Sequence, residues 1–246
     1  MPTYQGRFFD SMVILTGAGV SAESGIATFR DAGGLWEGHD PMQLATPEAF
    51  ARDPELIYRF YNERRTRLTE VQPNPAHRAI ARLQQEFDGE VFLVTQNVDD
   101  LHERGGSGQV CHMHGELNAM LCARCGESVA SPGDFDENTE CPGCSTPGHM
   151  RPDVVWFGEV LPQEAIDAAM SAARHCDFCF SVGTTSLVHP AASLPLIALE
   201  SGAPLVEVNP QETPLSPHAE QCFRGSASDV LTALTAQLRE ALSAGG

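Results

Sequence analysis

The chain has 246 residues, of which 42% are hydrophobic, so it can bury one substantial core and a small additional module. Its formal net charge of −18 argues against nucleic acid as a general ligand, because phosphate backbones require basic surfaces. The same charge favours cationic partners such as lysine-rich protein segments, or serves solubility alone. No run approaches the ~18–20 apolar residues of a membrane span, and residues 1–5 lack the basic and apolar regions of a signal peptide. We therefore expect a soluble, cytoplasmic monomer that binds neither membrane nor nucleic acid.

The first element is a buried strand that ends in a glycine-rich turn. Residues 12–15 are apolar at every position, which predicts a strand buried on both faces of a parallel sheet. Gly17, Gly19 and Ala22 fit the G-x-G-x-x-G/A dinucleotide pattern. In that pattern, glycine lets backbone N–H groups approach a pyrophosphate beside the positive end of the next helix. The motif alone is equally compatible with a tight turn.

The segment after this turn is not the second strand of an ordinary dinucleotide-binding unit, which carries a ribose-binding acid ~20 residues on. Residues 24–36 (SGIATFRDAGGLW) are rich in turn formers and end in aromatic anchors, which predicts a loop long enough to cover a ligand.

A helix is predicted to start at Asp53-Pro54, with a capping residue before proline. Ile57, Tyr61, Arg64 and Leu68 would share one face of it. A desolvated arginine on such a stripe needs a carboxylate or phosphate partner, whereas an ordinary one reaches past the rim to solvent. The pattern alone favours the second interpretation.

A second helix is predicted to start at Asn74-Pro75, and residues 91–94 read as a second buried strand. Polar residues follow it, including Gln96, Asn97 and Asp99. Ligands of open α/β sheets bind at the carboxyl ends of strands, so these residues are candidates for a site. The alternative is that Asp99 or Asp100 merely caps the next helix.

His112 and His114 would point the same way in an extended segment, although a lone histidine is usually structural. The segment 151–159 is expected to return to the main sheet. Further strands should end near residues 181–186 and 204–208, and a last helix should be capped by Ser226 or Ser228. Strands that alternate with helices predict an α/β fold, a doubly wound, Rossmann-like parallel sheet.

The clearest metal signal is the pair Cys122-x-x-Cys125 and Cys141-x-x-Cys144, which flanks fifteen residues. This is zinc-ribbon spacing, and four thiolates can close a tetrahedron. Two disulfides or unrelated thiols are the alternatives, and disulfides are not expected without an export signal. We predict a structural zinc site.

Several motifs, in order from about Ser11 to Ala227, resemble those of the sirtuins, the NAD-dependent protein-lysine deacylases. They include GAGVSAESGIATFR (17–30), TQNVD (95–99) and HGE (114–116). The sequence is similar to the bacterial-type members that remove succinyl and malonyl groups as well as acetyl groups. The resemblance implies that NAD is consumed as a co-substrate and that zinc is structural. Acyl-lysine proteins would be the substrates, and the products would be lysine, nicotinamide and O-acyl-ADP-ribose.

The resemblance also implies residue roles. His114 would be the general base on a ribose hydroxyl, and Asn97 would be catalytic as well. The residues expected to contact NAD are Gly17, Ala18, Gly19, Ser21, Glu23, Ser24, Gly25, Thr28, Phe29, Arg30, Trp36, Gln96, Asn97, Asp99, Gly183, Thr184, Thr185, Asn209, Gln211 and Ala227. The residues expected to contact the acyl-lysine substrate are Tyr61, Arg64, Ala32, Val154, Trp156 and Phe157. Tyr61 and Arg64 would hold the carboxylate of an acidic acyl group.

The expected NAD-binding domain comprises residues 1–31, 74–116 and 148–246, and the expected small domain comprises 32–73 and 117–147. The small domain would combine a helical insert with the zinc ribbon, and the substrate would lie between the two domains. The alternatives are a deacetylase with little preference for acidic acyl groups, and a mono-ADP-ribosyltransferase. A nicotinamide oxidoreductase is disfavoured because the ribose-binding acid is absent after the first strand.

Overall fold

The computed structural model describes residues 3–4, 7–26, 40–131 and 133–244. Its strands are β1 Thr3–Tyr4, β2 Arg7–Phe8, β3 Ser11–Thr16, β4 Glu90–Thr95, β5 Cys111–His112, β6 Gly115–Cys122, β7 Ser128–Ala130, β8 Met150–Val154, β9 Phe178–Val182, β10 Leu205–Val208 and β11 Gln221–Phe223. Its α-helices are α1 Pro47–Arg52, α2 Pro54–Glu70, α3 Pro75–Glu86, α4 Leu101–Arg104, α5 Gln163–His175, α6 Leu194–Glu200 and α7 Ala227–Ala244. Most of the loop predicted at 24–36 lies outside the described residues. No helix of the described ranges is long and apolar enough to cross a membrane.

The main sheet is parallel throughout, in the order β11-β10-β9-β3-β4-β5. The chain builds it outward from β3, first through β4 to β5 and then on the other side through β9 and β10 to β11. The strand order therefore reverses between β3 and β9. In open α/β sheets, the crevice at such a switch point is where ligands bind.

Strand β3 is buried on both faces, which confirms the interpretation of its apolar run. Met12 and Ile14 pack into the core formed with helices α3 and α7. Val13 and Leu15 pack into the core on the other face, with residues of α5 and α6. Because successive side chains point to opposite faces, a strand covered by helices on both sides must be apolar at every position.

The small sheet is antiparallel, in the order β7-β6-β8. The expectation that segment 151–159 returns to the main sheet is wrong, because β8 pairs with β6, Leu121 opposite Arg151 and Gly115 opposite Val154. Gly115 makes the second pairing possible: its φ is +77°, and a Cβ there would lie 2.1 Å from the Asp153 carbonyl oxygen. The expected domain boundaries at 117 and 148 thus fall within or beside strands of this sheet, and the division into domains stays a prediction.

Helix α2 packs under the small sheet. The side chain of Asp53 caps it by accepting a hydrogen bond from the Leu56 N–H, as predicted. Ile57, Tyr61 and Leu68 are fully buried, but the fully buried cation on this helix is Arg65 and Arg64 is only half-buried. The Arg65 guanidinium lies 4.4 Å from the centre of the Phe135 ring and donates to the Leu117 carbonyl. Burial lowers the pKa of Arg65 to about 10.

Candidate active site and zinc site

The ends of β3 and β9 meet in a glycine contact at the switch point. The Gly17 N–H donates to the Val182 carbonyl at 3.0 Å, and the Gly19 N–H donates to the Gly183 carbonyl at 2.9 Å. A Cβ on Gly19 would lie 2.7 Å from the Gly183 Cα. Both N–H groups are therefore used to join the strand ends, and the contact of these glycines with NAD stays a prediction. The glycines are required for close packing of two loops.

The expected helix after this turn is also absent from the described residues of the segment. Residues Ala18–Val20 and Ala22–Ser24 form two short 3₁₀ turns. Gly25 ends the second with a φ of +93°, in the left-handed region that favours glycine. These tight turns lie at the carboxyl end of β3, and Ser21 between them is buried.

Ser21 is the centre of a buried hydrogen-bond network. Its Oγ donates to Asp99 Oδ2 at 3.0 Å and accepts from Asn97 Nδ2 at 3.1 Å. The third partner is Nε2 of His77, at 3.3 Å. All four side chains are buried. The network thus brings together three predicted site residues, Ser21 from the segment after β3 and Asn97 and Asp99 from the segment after β4. His77 is a fourth member that was not predicted from the sequence.

The protonation state of His77 follows from its partners. Its Nδ1 accepts the Asn74 N–H at 3.2 Å, so the ring proton lies on Nε2 and is donated to Ser21. Burial lowers the pKa of His77 to about 4, which keeps the ring neutral. The contact to Asn74 is half of a capping box at the start of α3. The Asn-Pro-x-His spacing is the sequence signal that could have identified this residue.

Asp99 makes the helix contact that the sequence left open as an alternative, and its role in binding NAD stays a prediction. Its Oδ1 accepts the Leu101 N–H at 3.1 Å at the start of α4, while its Oδ2 accepts from Ser21. Burial raises the pKa of Asp99. The neighbouring strand ends supply further anchors, because Thr95 Oγ1 accepts the Asn97 N–H at 3.0 Å and lies 2.9 Å from Thr16 Oγ1. The loop 96–99 is therefore held from both sides.

His114 is arranged as a neutral base. Its Nδ1 lies 3.0 Å from the Gln96 carbonyl oxygen, which can only accept, so Nδ1 carries the proton and Nε2 keeps its lone pair. No described residue provides a hydrogen-bond partner for that Nε2. Burial lowers the pKa of His114, although the Gln96 carbonyl opposes this effect. The ring is thus neutral at pH 7, with an open basic nitrogen.

The other predicted NAD contacts lie at the ends of β9 and β10 and at the start of α7. Asn209 Nδ2 donates to the Thr184 carbonyl at 2.6 Å, and Thr184 is buried. Glu23 Oε2 accepts the Ser228 N–H at 3.1 Å, next to the buried Ala227. The last helix is capped by Ser226, whose Oγ accepts the Asp229 N–H at 3.1 Å. Segments far apart in sequence therefore converge beside the glycine contact.

Some predicted site residues lie apart from these networks or outside the described chain. Gln211 is exposed, and its N–H donates to Asn209 Oδ1 at 3.2 Å. The Ser24 hydroxyl is buried without a partner among the described residues. The residues outside the described ranges are Thr28, Phe29, Arg30, Ala32 and Trp36.

The segment after β8 runs beside the candidate base. The Val155 N–H donates to the His114 carbonyl at 2.9 Å, and the Phe157 N–H donates to the Ala45 carbonyl at 2.8 Å. Val154 is buried, whereas Phe157 is 39% exposed. Trp156 differs from expectation, because only 2% of it is exposed and its side chain is packed in the core. A contact from Trp156 to substrate in this arrangement must come from its backbone.

The Trp156 side chain is fixed by polar and cationic neighbours. Its Nε1 donates to the Tyr61 hydroxyl at 2.9 Å, and the Arg151 guanidinium lies 3.6 Å from the ring centre. Arg151 also forms a two-pronged ion pair with Glu159, whose Oε2 accepts the Trp156 N–H at 2.8 Å. Burial raises the pKa of Tyr61 to about 12, so this hydroxyl stays protonated. One connected group of side chains thus holds Tyr61, Trp156 and the chain segment beside His114.

The four cysteines of the two C-x-x-C pairs form one cluster, with all Sγ atoms within 4.8 Å of one another. The Sγ atoms of Cys122 and Cys144 are 3.9 Å apart, and those of Cys125 and Cys141 are 3.5 Å apart. A zinc ion bound tetrahedrally at ~2.3 Å would separate its sulfur ligands by ~3.8 Å. A disulfide would need ~2.05 Å. The donor set fits a four-thiolate zinc site and leaves no coordination position open for substrate.

Comparison with known proteins identifies the family. The family model described as Sir2 matches residues 17–190. The NAD-dependent protein deacylase 1 of Pseudomonas aeruginosa is 52% identical over 233 residues, covering 91% of this chain and 92% of that protein. A namesake from Archaeoglobus fulgidus is 46% identical, with 94% of each chain covered.

Solved structures agree with this result. A Sir2 homologue in complex with NAD is 44% identical, with a TM-score of 0.88, and 95% of this chain and 91% of that chain are covered. A Sir2 complex with an inhibitor, 2′-O-acetyl-ADP-ribose and a deacetylated p53 peptide is 32% identical, with a TM-score of 0.77, and 92% and 93% of the chains are covered. The chain therefore belongs to the Sir2 family, the sirtuins.

Proposed function

We propose that this protein is an NAD-dependent protein-lysine deacylase, with His114 as its general base. The observation that carries the proposal is the state of that ring, whose Nδ1 is held by the Gln96 carbonyl while Nε2 remains an available base. The ring lies against the loop that carries Asn97 and Asp99, after the carboxyl ends of β4 and β5, and relatives of the chain are named NAD-dependent protein deacylases. A neutral histidine near such a site is suited to take a proton from a ribose hydroxyl, which is worth ~10²–10⁴-fold in rate.

The remaining residues would bind and orient. NAD, when bound, supplies a glycosidic bond to nicotinamide whose cleavage drives removal of the acyl group. Asn97 and Asp99 would position the carboxamide of nicotinamide, and their anchoring to Ser21 would hold them without reorganisation during the reaction. Residues at the strand ends, including Thr184 and Asn209, would hold the ribose and adenosine portions. The substrate would lie beside segment 154–157, between the two proposed domains.

A mass measurement tests the proposal. The protein is incubated with an acyl-lysine peptide, with and without NAD, and both peptide and dinucleotide are weighed. Loss of the acyl mass only with NAD, together with release of nicotinamide and abolition in His114→Ala, is the expected result. An intact dinucleotide with the acylated peptide present would overturn the proposal, and formation of reduced NAD would point to an oxidoreductase.

We further propose that the acyl pocket accepts acidic acyl groups through Tyr61 and Arg64. The two residues are three apart on α2 and share one face, the geometry in which neighbouring side chains meet. Tyr61 is a protonated phenol, and a guanidinium matches a carboxylate in charge and shape. This pair is the feature that favours succinyl and malonyl substrates over a plain deacetylase.

The pair is tested by Arg64→Met, with Arg59→Met on the exposed side of the same helix as the matched control. We expect kcat/KM for a succinyl-lysine peptide to fall at least tenfold more than that for an acetyl-lysine peptide. Equal losses for both peptides, or the same selective loss in the control, would refute the carboxylate contact.

The finer properties of the protein belong to the same proposal. We propose a cytoplasmic monomer, and the net charge of −18 supports action on lysine-bearing proteins and the exclusion of nucleic acid. Light scattering after size-exclusion chromatography tests the monomer, and a shift of labelled duplex DNA at low salt would contradict the exclusion of nucleic acid.

A further inference from the structure

Two histidines hold the candidate site loop in the same way. His112 Nδ1 lies 3.0 Å from the Asn97 carbonyl oxygen, and His114 Nδ1 lies 3.0 Å from the Gln96 carbonyl oxygen. The rings therefore bind the carbonyls of consecutive residues. They differ at the other nitrogen, because His112 Nε2 lies 2.8 Å from Glu103 Oε1 on α4. From the sequence alone, His112 is expected to be structural.

The partners of His112 select its charged form. A backbone carbonyl and a carboxylate can only accept hydrogen bonds, and a neutral imidazole has one N–H to donate. Only the imidazolium fills both contacts. Burial lowers the pKa of His112, but the Glu103 carboxylate and the Asn97 carbonyl outweigh that effect and the pKa is raised. The pKa of Glu103 is lowered, because its contact with His112 outweighs its own burial.

We propose that His112 is a positioning residue, an imidazolium that joins the Asn97 backbone to Glu103 and fixes loop 96–99 for the reaction. Asn97 is otherwise held by its own N–H on Thr95 and by its side chain on Ser21. The His112 contact supplies the anchor at its carbonyl, between these two. The inference rests on the proposed function, since it assigns a role within the site that would cleave NAD.

This anchor depends on pH with a definite sign. A histidine whose pKa is raised by a partner keeps both contacts below that pKa, and above it the neutral ring can fill only one of the two. The titratable groups whose charges act on His112 are Glu103 and His102 on α4, Asp99 in the loop and Glu116 on β6. Both carboxylates are exposed, but Glu103 makes the direct contact and Glu116 acts only through space.

The test compares Glu103→Gln with the wild type and with Glu116→Gln as the matched control. Glutamine keeps the shape and one acceptor oxygen but removes the charge, so the pKa of His112 should fall more in Glu103→Gln than in Glu116→Gln. Ring ¹H–¹⁵N NMR titration of His112 measures this directly and requires no catalysis. The ratio of kcat in Glu103→Gln to kcat in the wild type should then fall about tenfold between the lowered His112 pKa of the variant and that of the wild type, the scale of one charge-assisted hydrogen bond, and should recover above the wild-type pKa.

A second variant protects the test against a folding artefact. The glutamine of His112→Gln can fill only part of the double contact and does not titrate. The reduction of kcat in this variant relative to the wild type should therefore be largest at low pH, and it should shrink as the wild-type His112 ring loses its proton. Superimposable pH profiles for Glu103→Gln and the wild type, or a His112 ring that is neutral at pH 6.5, would overturn the proposal. A wild type that leaves NAD and acyl peptide intact would instead refute the proposed function, so the two failures are distinguishable.

Discussion

The glycine contact at the switch point allows a steric prediction, the effect of Gly19→Ala. The added Cβ would lie 2.7 Å from the Gly183 Cα and 2.8 Å from the Gly183 carbonyl oxygen, both backbone atoms. Gly19 is not among the residues with positive φ, so the substitution adds volume without backbone strain. Restoring an ordinary carbon contact of ~3.5–4.0 Å requires the ends of β3 and β9 to separate by about 1 Å. That movement would also stretch the 2.9 Å bond from the Gly19 N–H to the Gly183 carbonyl.

The expected magnitudes follow from this displacement. Overfilling a packed region costs ~1–3 kcal/mol of unfolding free energy. A misplacement of ~1 Å in a site can reduce the rate ~10²-fold. We therefore expect Gly19→Ala to lose about 2 kcal/mol of stability in urea and about 100-fold in kcat/KM for NAD.

The matched control is Gly108→Ala, because a Cβ at Gly108 meets nothing within 4 Å and its φ is not in the left-handed region. This variant should retain the stability and kcat/KM of the wild type. If Gly19→Ala unfolds at the same urea concentration as Gly108→Ala and turns over NAD within twofold of it, the steric reasoning is refuted.

Three further predictions concern the zinc site, the base and the chain's own chemistry. Removal of zinc by a chelator should raise amide exchange first in β6–β8 and leave the parallel sheet protected, and readdition of zinc should restore protection; simultaneous loss in β3 and β4 would contradict a local structural role. The acidic limb of kcat/KM should lie below the ordinary histidine pKa of ~6.5, because burial lowers the pKa of His114 in the free protein and the base form is present above that pKa; a limb at or above 6.5 would oppose the assignment. The chain contains no lysine, because all 15 of its Lys and Arg residues are Arg. Treatment with succinyl-CoA should therefore add no stable lysine adduct and leave the deacylation rate unchanged, whereas an Arg59→Lys variant should acquire one adduct that is removed when NAD is added. A loss of deacylation rate in the wild type after treatment with succinyl-CoA would refute this.

Local patterns were sufficient for the elements whose environment is encoded in consecutive residues. The unbroken apolar run of β3 predicts burial on both faces, and the two C-x-x-C pairs predict a cluster because their spacing fits one tetrahedral ion. Capping residues located the starts of α2 and α3 correctly for the same reason. These features need no knowledge of which strands are neighbours.

Contacts across the sheet could not be obtained in this way. The N–H groups of Gly17 and Gly19 donate to the carbonyls of Val182 and Gly183, which lie far along the chain. The glycine motif alone therefore cannot predict whether these N–H groups are free to bind a ligand. The return of β8 to the small sheet depends on its pairing with β6 across the cysteine module. Trp156 was placed against substrate from its motif, whereas its burial depends on Arg151 and Tyr61.

The geometry of the candidate site is therefore a property of contacts between segments. The glycine contact draws β3 against β9, the tight turns that follow place Ser21 in the interior, and one hydroxyl then joins the start of α3 to the loop of Asn97 and Asp99. A hydroxyl can donate once and accept twice, and the three partners of Ser21 use this capacity fully. Because no partner can shift without leaving a buried polar group unpaired, loosening the switch point should weaken stability and NAD cleavage together.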